Sequence, residues 1–217
     1  MDIQHVVDAL NYFVEYQPLL GVEFSNDFDE CVLLASDEAR LQFVDAMLDA
    51  IVVGHSRVPE RVALGGLRAI VDSSATMLPY SLFAEGVPSH LRTAVLTKMH
   101  AVFVEIFPQR CERLLAHRAA APLPPWNLLC FMWWELLPRH GVPPVTFLAE
   151  TDLTILQLMG SVLKVDHVAC KEAALHGLAL WQAARPGDVQ GLIDRYAAYI
   201  PETLQDYALA AKTGSIQ

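Results

Sequence analysis

Positive charge is scarce in one part of this sequence. Residues 1–50 hold a single base, Arg40, against eleven acids, a local charge of −10; the remaining residues carry fourteen acids and fourteen bases and are neutral. The whole formal charge of −10 therefore lies in the first quarter of the chain. A surface of that sign repels nucleic acid and anionic lipid, which argues against partners of either kind, and it steers a basic protein toward that end. The same acids also keep an apolar chain in solution, and the two roles stay open.

Cysteine is sparse as well. Cys31, Cys111, Cys130 and Cys170 are scattered, and the opening Met-Asp-Ile-Gln-His has neither the basic nor the apolar segment of an export signal. The expectation is a cytoplasmic chain with free buried thiols rather than a disulfide framework. Long apolar runs are missing too, although hydrophobic residues make up 53% and charged ones only 18%. A membrane span needs about 18 or more nearly uncharged residues. The nearest stretch, 119–134, is broken by Pro122, Pro124, Pro125 and Asn127 and stops at Glu135. Buried helices of a soluble fold account for the hydropathy, and disorder is excluded by it.

Catalytic signatures are also lacking. The sequence has no nucleophile elbow, no phosphate-binding glycine loop, no dinucleotide fingerprint and no His-Glu-x-x-His. Gly65-Gly66 falls inside an apolar helical pattern, where close packing explains it. Cys170 and His176, like Cys111 and His117, stand six residues apart. On a helix that offset turns about 240°, so such a pair shares no face, and neither a metal nor another cofactor is predicted. The acids Asp27, Asp29, Glu30, Asp37 and Glu38 lack the apolar surround that tunes a carboxylate for acid–base work; they read as a solvated face that meets a partner.

What the sequence has in quantity is helical periodicity. Apolar stripes run through 3–14, 41–51 after an N-cap at Ser36, 62–71 after Pro59, and 91–106 up to Pro108. A short helix is expected over 110–117 and an aromatic one over 126–137, followed by 152–163, 168–184, 188–199 and 202–212. The fold class predicted is all-α, an irregular array of about nine or ten helices in one domain over 1–217, with an acidic part at 1–50. Trp126, Phe131, Trp133 and Trp134 at helical spacing read as core. Trp133 and Trp134, however, point about 100° apart, which puts one of them at an interface.

One string carries a resemblance: Cys170-Lys171-Glu172-Ala173-Ala174-Leu175-His176-Gly177-Leu178-Ala179-Leu180-Trp181, followed by Ile193-Asp194-Arg195 and by Tyr207-Ala208 with Ala211 and Gly214. It resembles the C-terminal end of a group of bacterial helical proteins regarded as HEAT-like, which read Cys-Gln-Glu-Ser-Ala-Leu-His-Gly-Leu-Gly-His-Trp there. Lys171, Ala173, Ala179 and Leu180 depart from that pattern. The resemblance implies HEAT-like helix pairs over 150–217. It also implies a non-enzymatic binding role, most concretely that of a cytoplasmic immunity protein occluding a basic toxin domain with its acidic N-terminal surface. Two alternatives stand beside it: an adaptor docking through Trp133 and Trp134, and an enzyme with a dispersed site for which Cys170, Glu172 and His176 are the concentrated candidates.

Overall fold

The computed structural model describes residues 36–54 and 58–216, and the regular elements among them are all helical, with no strand. This agrees with the all-α array of about nine or ten helices read from the sequence. The helix expected at 3–14, the acids Asp27, Asp29 and Glu30, and Cys31 lie outside the described residues. The chain divides into two compact units: one runs to Met99 and takes in Leu136–Pro138, and the other comprises His100–Glu135 and Arg139–Gln217.

In the first unit, α1 spans Asp37–Val53 and starts as expected, with the Ser36 hydroxyl accepting the Ala39 N–H at 3.2 Å and two acids in the first turn. Its stripe of Leu41, Val44, Met47, Leu48 and Ile51 is buried. Helix α2, Glu60–Val71, carries the expected 62–71 stripe and stops at Asp72. There the Asp72 carboxylate accepts the Ser74 N–H and hydroxyl and Arg68 Nε, which turns the chain before any proline is reached. A single turn, α3 (Leu78–Ser81), packs on α1 and α2. Helix α4 follows as Ser89–Ala101, and its Lys98 bridges Asp45 at 2.7 Å and Asp49 at 2.6 Å on α1.

The second unit opens with a π-helical turn, Val102–Ile106, and then α5, Phe107–Arg110. The sequence reading ended the helix at Pro108, but the chain stays helical through it. A proline inside an α-helix clashes with the carbonyl four residues back. The wider turn relieves this: the Phe107 N–H bonds to the carbonyl of Val102, five residues away, and Cys111 then resumes the four-residue step. The helix expected over 110–117 is instead irregular chain ending in a 3-10 turn, Ala116–Arg118, because side chains from elsewhere capture its backbone N–H groups. The remaining helices are α6 (Pro125–Met132), α7 (Ala149–Val162), α8 (Val168–Trp181), α9 (Pro186–Arg195) and α10 (Gln205–Thr213).

Helix α8 is the axis of this unit and packs on α6, α7, α9 and α10. Close approach is possible because Gly177 has no side chain: a Cβ there would stand 2.5 Å from Met159 Sδ and 2.6 Å from the Trp134 ring. Around Trp134 lies an aromatic core. Its ring stacks on Phe103 at 5.4 Å, while Trp133 meets Phe103 and Phe107 edge-on at 5.7 and 5.4 Å. Arg139 donates twice to Asp152, at 2.7 and 2.6 Å, both side chains being buried, and a third time to the Pro143 carbonyl. That ties the 139–143 segment to α7 by a bidentate, fully hydrogen-bonded pair. Among the described residues no helix is long and apolar enough to cross a membrane.

Candidate functional site

The polar side chains of the second unit concentrate on α8, and each is held by a different neighbouring segment. At the helix start, His167 has extended backbone and is buried; its Nε2–H donates to the Cys111 carbonyl at 3.2 Å, leaving Nδ1 buried without a hydrogen-bond partner. Cys170 is fully buried with Cys130, beside Cys111 at the edge of the core, and all three are free thiols. The neighbouring Cys130 thiol, helped by His167 and Lys171 and opposed by burial, holds the Cys170 thiol down to about 6; burial pushes Cys130 up. Polarised as it is, the Cys170 sulfur is 0% exposed, so no substrate reaches it in this conformation. Among the described residues no group of three or more His, Cys, Asp and Glu side chains converges so as to hold a metal ion.

One residue on, Lys171 donates to the carbonyls of Leu163 at 2.6 Å and Tyr199 at 2.7 Å, closing the C-terminal end of α7 against the turn after α9. Glu172 follows, its side chain 1% exposed. Its carboxylate accepts the backbone N–H of Ala116 at 2.6 Å, that of His117 at 2.8 Å, and the His117 ring Nδ1–H. A buried carboxylate is tolerated where donors converge on it in this way.

His176 lies further along the helix and is bonded at both nitrogens, Nε2 to the Glu135 carboxylate at 2.9 Å and Nδ1 to the Tyr207 hydroxyl at 3.1 Å. An ionised carboxylate only accepts, so Nε2 carries the proton and Tyr207 donates to Nδ1. Burial, and then the charges of Glu172 and Glu135, push the Tyr207 phenol well above its ordinary value, which keeps that donor protonated. The His117 ring stacks on Tyr207 at 4.4 Å, and Phe131 covers His176 at 4.5 Å. Two hydrogen-bonded groups, Glu172 with His117 and Tyr207 with His176 and Glu135, thus meet at the His117–Tyr207 stack to make one polar chain.

The chain matches no family model, no curated protein and no solved structure. Function has to be read from its own residues.

Of the sequence-predicted partner-binding residues, Asp27, Asp29 and Glu30 fall outside the described part. Asp37 pairs with Arg40 at 3.4 Å, and Glu38 accepts from Gln42 at 3.4 Å on the exposed start of α1. Trp133 and Trp134 are 0% and 1% exposed, which corrects the expectation that one of them meets a partner. That expectation followed the 100° step of a continuing helix. Helix α6 ends at Met132, however, and the turn after it lets both indoles point inward to Phe103, Phe107 and α8. Of the concentrated catalytic candidates, Glu172 and His176 belong to the polar chain, and Cys170 to the separate thiol cluster. From the sequence His117 is weighed only beside Cys111 and Tyr207 only within the resemblance, and neither they nor Glu135 are read as partners of Glu172 or His176. His117, Glu135 and Tyr207 stand 55, 41 and 31 residues from their α8 partners, and no local pattern announces such pairings.

Proposed function

We propose that the protein is a non-enzymatic binding module that meets a basic protein partner through its acidic N-terminal part, most concretely an immunity protein that occludes a toxin domain. The observation that carries this reading is the charge division: −10 within residues 1–50 and neutrality beyond. A one-sided field of that size raises the encounter rate with a cationic partner and weakens as salt screens it. In the described part of that segment, Asp37 is matched by Arg40, and Asp45 and Asp49 share Lys98. Seven of the eleven acids, Asp27, Asp29 and Glu30 among them, precede residue 36 in the sequence.

Helix α8 supports the same reading from the other side. Its Lys171, Glu172 and His176 are engaged by backbone carbonyls, backbone N–H groups and a Tyr–Glu pair, so they brace loops against the helix. A braced helical scaffold of the HEAT-like kind suits recognition, where rigidity lowers the entropy cost of association. The test is affinity capture of the tagged full chain from its native host, with a D27K/D29K/E30K variant alongside. A basic protein retained stoichiometrically at low salt, released at high salt and missing from the variant supports the proposal. Retention by both chains at either salt concentration contradicts it.

A further inference from the structure

The ammonium of Lys171 has a feature that bracing leaves unexplained. Its side chain is buried, the residue being only 8% exposed, yet among the described residues no carboxylate lies within ion-pair distance of it. An ammonium has three N–H donors; the carbonyls of Leu163 and Tyr199 take two. Burying a cation against neutral carbonyls alone leaves much of its desolvation cost unmet. Lys171 also lines an open cleft of about 490 Å³ formed by the start of α8, the 113–115 segment and the chain between Ala198 and Thr203.

The rest of the lining fits an anion. Arg113 reaches the cleft with its side chain 60% exposed, its guanidinium held by the Asp166 backbone carbonyl at 2.6 Å and only loosely by the Asp166 carboxylate at 3.5 Å. That carboxylate is 98% exposed, so solvent screens it and an incoming anion can displace it from Arg113. Thr203 adds a hydroxyl, while Leu115 and Tyr199 give the cleft an apolar wall. The charged side chains of the lining thus comprise two cations and one fully solvated acid.

We propose that this cleft binds a small oxyanion, a phosphate or carboxylate group, seated on the third N–H of Lys171 and on the Arg113 guanidinium. The site lies within the second unit and is independent of the acidic-face reading. Burial pushes the Lys171 ammonium below its ordinary value, against the pull of Asp166 and Cys170. A bound anion favours the charged form and pushes it back up.

Isothermal titration of the full chain with inorganic phosphate and, separately, with acetate, at ionic strength held constant by sodium chloride, tests the proposal. Saturable binding of one molecule per chain is expected for at least one anion. The tighter of the two tells a phosphorylated ligand from a carboxylate. Arg113→Gln should weaken it by roughly tenfold, about 1.4 kcal/mol, and Lys171→Met should abolish it. Arg195→Gln, on the exposed end of α9, should leave it unchanged. Because Lys171→Met also removes two structural hydrogen bonds, the Lys171 Nζ titration followed by NMR in the wild-type chain provides a second measurement, and it should move upward in the anion. Absence of saturable binding, wild-type affinity in Arg113→Gln, or an unmoved Lys171 titration overturns the proposal.

Discussion

Replacing Glu172 by alanine tests whether the polar residues of α8 brace the fold. The substitution removes a carboxylate whose side chain is 1% exposed and which accepts three donors, the N–H groups of Ala116 and His117 and the His117 ring. Each buried donor left unpaired costs about 1–3 kcal/mol. Ala116 is half-buried, so water repairs part of the loss at the loop and the expected total is about 2–4 kcal/mol. In a chain of this size that lowers the melting temperature by roughly 4–16 °C. Urea denaturation followed by the fluorescence of the four buried tryptophans, Trp126, Trp133, Trp134 and Trp181, reads the global change. Amide exchange reads the local one, with Ala116 and His117 losing protection while amides inside α9 keep theirs. Glu172→Gln, which keeps one acceptor oxygen, should fall between wild type and alanine. A Glu172→Ala chain within about 0.5 kcal/mol of wild type, with both amides still protected, would refute the bracing role.

Two further predictions concern packing and acid stability. Gly177→Ala puts a methyl 2.5 Å from Met159 Sδ and 2.6 Å from the Trp134 ring, so it should destabilise the chain by about 1–3 kcal/mol in denaturant titration, and in a double-mutant cycle with the buried Met159→Ala the two costs should sum to less than their separate values. The second rests on Asp72. Burial alone pushes its carboxyl up, but the bonds from Ser74 and Arg68 outweigh it and hold the group below its ordinary value of 3.8. Folded Asp72 therefore binds its proton less readily than the unfolded chain does. Its contribution to stability is full above pH 3.8 and is lost as pH falls through the lower folded value. Acid titration of Asp72→Asn by circular dichroism should show a shallower loss of stability below pH 4 than wild type; identical acid limbs would contradict it.

The parts of the fold that were legible in the sequence are those whose signals are local. Ser36 with Asp37, Glu38 and the Leu41-to-Ile51 stripe announces α1, and the structure places the cap and the buried face as read. Pro108 misled because a helix can pass a proline by widening one turn, as the Val102–Ile106 turn does here, and the sequence pattern does not mark where a turn will widen. The 110–117 stretch misled for a related reason. Its own periodicity favours a helix, but Glu172, 55 residues away, offers its N–H groups a stronger acceptor. The same distance effect governs the site. Lys171, Glu172 and His176 stand in one conspicuous string, whereas their partners Tyr199, His117, Tyr207 and Glu135 acquire meaning only once the helices are packed. The adjacent indoles of Trp133 and Trp134 show the converse: a correct periodicity argument applied one residue beyond the end of its helix.

The measurement that bears most directly on the central claim is the association rate of the captured partner with the full chain, measured by stopped flow across a range of ionic strengths for wild type and for D27K/D29K/E30K. If the acidic N-terminal part steers a basic partner, the wild-type rate falls steeply as salt rises, and the variant is slow at low salt with little further dependence. Equal rates for the two chains at low salt, or a wild-type rate indifferent to salt, would contradict the account.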